Sequence, residues 1–168
     1  KEFGLRGIAY QEVFGPAESA AEDAMSGLQR KLERYRSDES ETRRAGVSPH
    51  APYTVSKLLF EQARDLARRE SLRITTHAAE SHDETLFVCD GVGPFADAHA
   101  KRGIAVTARG CSPLAYLESL GLLGPDMLIA HAVEADEWDL ERLRKSGTCV
   151  AHCPKSNAKL GNARARTG

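Results

Sequence analysis

The chain has 168 residues with a formal net charge of −1, 41% apolar and 28% charged residues. That length suits one domain, residues 1–168, with a real core, and the near-neutral charge gives no ground for binding nucleic acid or an anionic membrane surface. No apolar run nears the ~20 residues of a membrane span, Lys1 to Arg6 lacks a signal-peptide core, and four scattered cysteines without a CxxC pair suit a cytoplasmic protein with reduced thiols.

In chain order, Gly7 to Phe14 reads as a strand closed by Gly15-Pro16. From Ser19 to about Arg36, Ala20, Ala24, Leu28, Leu32 and Tyr35 recur at helical spacing. The charged stretch Ser37 to Arg44 reads as a surface connection, and Val47 to His50 as a second strand restricted by Pro49. Thr54 or Ser56 caps a helix whose apolar face includes Leu58, Leu59, Ala63, Leu66 and Ala67. Leu72 to His77 is the third strand, rich in β-branched residues.

The next stretch, Ser81 to Leu123, is less regular. It is expected to hold a helical turn at Glu84 to Val88, a loop at Gly91 to Pro94, a helix from Phe95 to Lys101 and an extended piece at Ile104 to Val106. Ser112-Pro113 then opens a helix through Leu120 that Gly121 ends. Met127 to His131 is the fourth strand. A helix from Glu134 to Lys145 is expected to set Trp138, Leu140 and Leu143 on the sheet, and Thr148 to His152 is the fifth strand, followed by a Gly/Asn/Arg-rich tail. Alternation of strand and helix predicts parallel βαβ units, and neither a GxGxxG nor a GxxxxGK[ST] loop follows any strand.

Four of the six histidines, His50, His77, His131 and His152, close these strands. Functional side chains of parallel α/β folds lie at the C-terminal ends of strands, so the four are expected to converge on one mouth. A lone strand-end histidine is more often a hydrogen-bonded structural residue, but four in succession with unrelated flanks are hard to explain that way. Neutral imidazoles are ligands for zinc or iron, and open metal sites activate water. Glu80, three residues past His77, suits a general acid/base.

The wording of these motifs, Ser48-Pro-His-Ala-Pro-Tyr-Thr54, Thr76-His-Ala-Ala-Glu80, Ile129-Ala-His131 and Ala151-His-Cys-Pro-Lys-Ser-Asn157, closely resembles successive motifs of the amidohydrolase superfamily. Gly93-Pro-Phe95 and Ser112-Pro-Leu-Ala-Tyr-Leu117 look like its branch of S-adenosylhomocysteine and aminodeoxyfutalosine deaminases and chlorohydrolases. The resemblance implies a partial (β/α)8 TIM barrel, strands three to seven with their helices. It implies hydrolytic deamination of an aminated purine nucleoside or related heteroaromatic small molecule, with a chlorohydrolase-like or other ring hydrolase, or a non-catalytic α/β remnant, as alternatives. It makes His77 a metal ligand, Glu80 the proton carrier and a contact to the leaving amino group, and His131 a catalytic neighbour of the metal. His50, His152 and Asn157 become substrate contacts.

The same resemblance implies a His-x-His metal pair on strand one and an aspartate on strand eight. This chain holds no His-x-His and stops before strand eight. A (β/α)8 barrel takes ~250 residues, so a fragment is expected, with weak or no zinc (or iron) binding by the chain alone and no turnover. Its open barrel edges, Gly7 to Phe14 and Thr148 to His152, predict a homo-oligomer. His82 and His99 are expected to be solvated, Cys149 and Cys153 to serve packing, and Glu12, near the end of the first strand, is left outside the site.

Overall fold

The computed structural model describes residues 5–162 and 165. Five parallel strands, β1 (Gly7–Val13), β2 (Arg43–Pro49), β3 (Arg73–Ala78), β4 (Met127–His131) and β5 (Cys149–Ala151), lie in the order β1-β2-β3-β4-β5. Consecutive strands are neighbours, each joined to the next through helices: α1 (Ala21–Arg36), α2 (Lys57–Arg69), then α3 (His82–Asp90), α4 (Pro94–Lys101) and α5 (Pro113–Ser119), and α6 (Glu137–Ser146). Alternating strand and helix in sequence order is the βαβ arrangement that barrels repeat.

The helix ends follow from local chemistry. The Ser56, Ser81 and Ser112 hydroxyls and the Asp136 carboxylate each accept a backbone N–H of the first turn of α2, α3, α5 and α6. Gly91 and Gly147 end α3 and α6 in the left-handed conformation that glycine adopts without penalty. The core lies between one face of the sheet (Val13, Val47, Ile74, Met127, Ile129) and the helices (Leu28, Leu32, Leu59, Phe60, Leu66, Leu114, Leu117). The opposite face carries Ile8, Tyr10, Thr75, His77, Leu128 and Ala130 and is only partly buried.

Several expectations are corrected. β2 starts at Arg43 rather than Val47, because Arg43 and Arg44 pair in register with Gly7 and Ile8 of β1; ladder formation overrides the charged composition. Ser81 to Asp90 is a full capped helix, Ile104 to Val106 forms no strand, and β5 is three residues long. A helix, α7 (Pro154–Leu160), stands where a tail was expected, with Pro at its first turn. Trp138, 75% exposed, and Leu140 face solvent, so Leu143 alone of the expected three is buried. Leu58 and Tyr35 likewise lie on the outer faces of their helices.

Candidate active site at the strand mouths

The β1–β4 register sets the site. Glu12 lies opposite Ser48, and Gly46 opposite Arg73, so counting by twos puts Glu12, His50 and His77 on the same partly open face. The rings form a row: Phe14 to His50 at 4.6 Å, His50 to His77 at 4.8 Å and His77 to His131 at 5.4 Å between centroids. Three of the four predicted histidines therefore come together at the ends of adjacent strands.

His131 joins the row through its backbone. Strict alternation would point it to the helix side with Met127 and Ile129. Its φ of +78°, followed by +50° at Ala132, breaks the alternation. Such a conformation costs a non-glycine residue on the order of 1–3 kcal/mol and persists only where surrounding bonds impose it. Here the Ala132 and Glu134 N–H groups donate to the Ala78 and Ala79 carbonyls, tying the β4 exit to that of β3.

Hydrogen bonds define which ring nitrogens are free. His77 Nδ1 lies 3.0 Å from the His50 carbonyl, which only accepts, so Nδ1 carries the proton and Nε2 keeps its lone pair. Buried His131 donates from Nδ1 to Asn157 Oδ1 at 2.8 Å, and its Nε2 stands 3.3 Å from Glu80 Oε1. Two lone-pair atoms at that separation attract only with a proton between them. Burial, then the His77 charge, lowers the His50 pKa, while Glu12 and Glu80 oppose. His50 is thus biased toward neutral imidazole.

Asn157 reaches His131 from α7, buried at 1% exposure. Its Oδ1 is used on His131, leaving for any direct substrate contact only Nδ2, which is buried and has no partner among the described residues. Half-buried His152, just past β5, also has a ring nitrogen, Nδ1, without a partner among the described residues.

Other residues depart from expectation. His99 is not solvated: it is 8% exposed, its Nε2 donates to the Tyr53 carbonyl at 2.7 Å, and its ring meets Phe87 edge-on at 4.9 Å. His82 is exposed as expected. Cys149 is exposed, so packing does not account for it, and Cys153 is half-buried. Glu12 belongs to the site after all, with one donor atom each of Glu12, His50 and His77 within 4.8 Å of one another.

Sequence reasoning missed Glu84. It is fully buried, and its two oxygens accept the Ala79 N–H at 3.0 Å and the Glu80 N–H at 2.9 Å, holding the loop that presents Glu80. Ala79 needs this support, with φ +52°. Ser81-His-Asp-Glu84 has the capping-box spacing, a signal that was available in the sequence. Tyr53, stacked on Phe95 at 4.0 Å, borders the row at 6.1 Å from His50. Burial, then the Glu80 and Glu84 charges, pushes its hydroxyl up to about 12, so it stays a neutral donor.

This arrangement can be set beside known proteins. The chain is 32% identical over 165 residues to an aminodeoxyfutalosine deaminase of Deinococcus radiodurans, covering 93% of this chain and 40% of that protein. It is 31% identical over 162 residues to a 5-methylthioadenosine/S-adenosylhomocysteine deaminase of Syntrophobacter fumaroxidans, covering 95% and 33%. An adenosine deaminase from Xanthomonas campestris, whose crystal structure has bound zinc, superposes with a TM-score of 0.72 at 25% identity, covering 98% of this chain and 34% of that one. The chain thus spans about a third to two fifths of the length of these relatives, and its five strands correspond to part of a longer barrel. Residues 3–167 match the amidohydrolase family model, and together with the strand-end histidines and the relatives' identity this shows that the chain belongs to the amidohydrolase family.

Proposed function

We propose that this chain, as a single domain, forms part of the catalytic mouth of a metal-dependent amidohydrolase that deaminates an aminated purine nucleoside or related heteroaromatic compound. The observation that carries it is the Asn157–His131–Glu80 chain of contacts beside His77. Deamination exchanges an exocyclic amino group for the oxygen of water. Water must lose a proton, and the amino group must gain one before leaving as ammonia. Glu80, held by Glu84 through its backbone and facing His131 Nε2, is placed to accept the first and return it. Asn157 positions the His131 ring. His50, with Tyr53 and Phe14 around it, and His152 present half-open polar and aromatic surface to a flat ring.

His77 fits a zinc (or iron) ion, since its Nδ1 donation to the His50 carbonyl leaves Nε2 free and fixes the ring, the support that metal-bound histidines usually receive. Such an ion supplies Lewis acidity that lowers the cost of deprotonating water. No described helix is long and apolar enough to cross a membrane. The free cysteines and the small-molecule substrates named for the relatives fit a cytoplasmic setting.

The test is ammonia release from adenosine-type nucleosides by a protein carrying this segment within a complete barrel. Glu80→Gln should lower kcat by about 10²–10⁴, and the 168-residue chain alone should show no turnover. Inertness toward such nucleosides, with hydrolysis of a chlorinated triazine ring, would replace deamination by the chlorohydrolase alternative.

A further inference from the structure

We infer that Glu12, His50 and His77 form a two-histidine, one-carboxylate site for a borderline divalent cation, such as zinc, cobalt or ferrous iron, at the mouth of β1–β3. A donor atom of each lies within 4.8 Å of the other two. Metal–ligand bonds of about 2.0–2.2 Å place donors roughly 3–4 Å apart, so modest side-chain rotation closes the remaining gap. Two imidazoles and one carboxylate with open positions form a known arrangement for such ions.

The hydrogen bonds around the two rings give independent support. His77 Nδ1 donates to the His50 carbonyl at 3.0 Å. The Thr54 hydroxyl lies 2.8 Å from His50 Nδ1 and 3.2 Å from the Ala51 carbonyl, and when it donates to that carbonyl it accepts from His50 Nδ1. In that arrangement both rings hold the same tautomer, each with an unprotonated Nε2 and fixed through its other nitrogen. The Glu12 side chain is exposed, and no hydrogen bond or ion pair engages its carboxylate among the described residues; Lys31 bonds its backbone carbonyl instead. Three donors from three adjacent strands are thus available without breaking an existing contact.

The trio shares His77 with the ligand set that the family resemblance implies, but draws its other two donors from β1 and β2 of this chain. It also revises the expectation that the chain alone binds little metal. Because a substrate at His50 would use the same Nε2, an ion held here competes with that contact. The site does not rest on the deaminase proposal, and its test reads metal rather than turnover.

Metal-free 168-residue chain is titrated with Co²⁺, following the visible absorption of the bound ion and, by equilibrium dialysis, the stoichiometry. One ion per chain is expected. Glu12→Gln, at an exposed position that leaves the fold undisturbed by circular dichroism, should weaken binding roughly tenfold or more, as should His50→Gln. His131→Gln, outside the trio, should leave affinity within about threefold. Binding by Glu12→Gln as tight as by the parent, or no binding by the parent at millimolar Co²⁺, would overturn the assignment.

Discussion

Glu84 sets two forces against each other where β3 hands the chain to Glu80. Burial, the larger, pushes its carboxyl from 4.5 up to about 8; the Glu80 and Ala79 N–H donors pull it down, and the Glu80 and Glu134 charges raise it further. With the folded value above the unfolded one, the folded chain binds more protons than the unfolded chain between about pH 4.5 and 8. The Glu84 contribution to stability is therefore greatest below that window and is lost as pH rises through it. One proton over roughly 3.5 pH units, at about 1.36 kcal/mol per unit, sets an upper limit of about 5 kcal/mol.

Glu84→Gln removes this titration and keeps the shape. An amide has one acceptor oxygen, so its NH2 group confronts one of the two backbone N–H donors, and a buried N–H left unpaired costs about 1–3 kcal/mol. The variant should be less stable than the parent by about that amount near pH 5. The gap should close as pH rises and vanish or reverse by about pH 8. Urea unfolding followed by circular dichroism, run on both proteins in the same buffers, reads the gap directly, because the other titrating groups cancel in the difference. A gap that widens with pH would refute the reasoning, since the two N–H donors would then outweigh burial and keep Glu84 ionised in the folded chain.

Other perturbations probe the frame around the site. Gly46→Ala would put a Cβ 2.6 Å from Tyr10 Cδ1 and 2.8 Å from Ile8 Cγ2, which should cost about 1–3 kcal/mol; an unchanged urea midpoint would mean that the β1 side chains swing clear. His99→Ala leaves the Tyr53 carbonyl without its imidazole donor and opens a void beside Phe87, so a loss of about 2–3 kcal/mol is expected in the same assay, and stability within error of the parent would argue that water replaces the ring. The two open sheet edges, with Ile8 and Phe14 exposed at one and Val150 at the other, should drive self-association. Sedimentation at micromolar concentration should show a dimer or larger species, and a clean 18.3 kDa monomer would rule it out.

The features legible in the sequence are those that local chemistry determines. Serine and aspartate caps, glycine stops and β-branched strands act through neighbours a few residues away, so the alternation of strand and helix and the histidines at strand ends could be read directly. His50 and His77 do meet, because parallel strands in register bring equivalent ends together whatever lies between them. Distant contacts decided the rest. Arg43 and Arg44 are strand because β1 offers them a ladder, and His99 is buried because Tyr53 and Phe87, 46 and 12 positions away in sequence, close over it. Trp138 and Leu140 are apolar but exposed, because no remote segment among the described residues covers them. Glu12 joins His50 and His77 only through the pairing of β1 with β2. His131 turns into the row through a left-handed backbone that no propensity favours and that the bonds to Ala78 and Ala79 impose. Periodicity and spacing carry the local rules, whereas pairing and burial depend on which remote segment arrives, and the 3.3 Å contact of Glu80 with His131 is a product of the second kind.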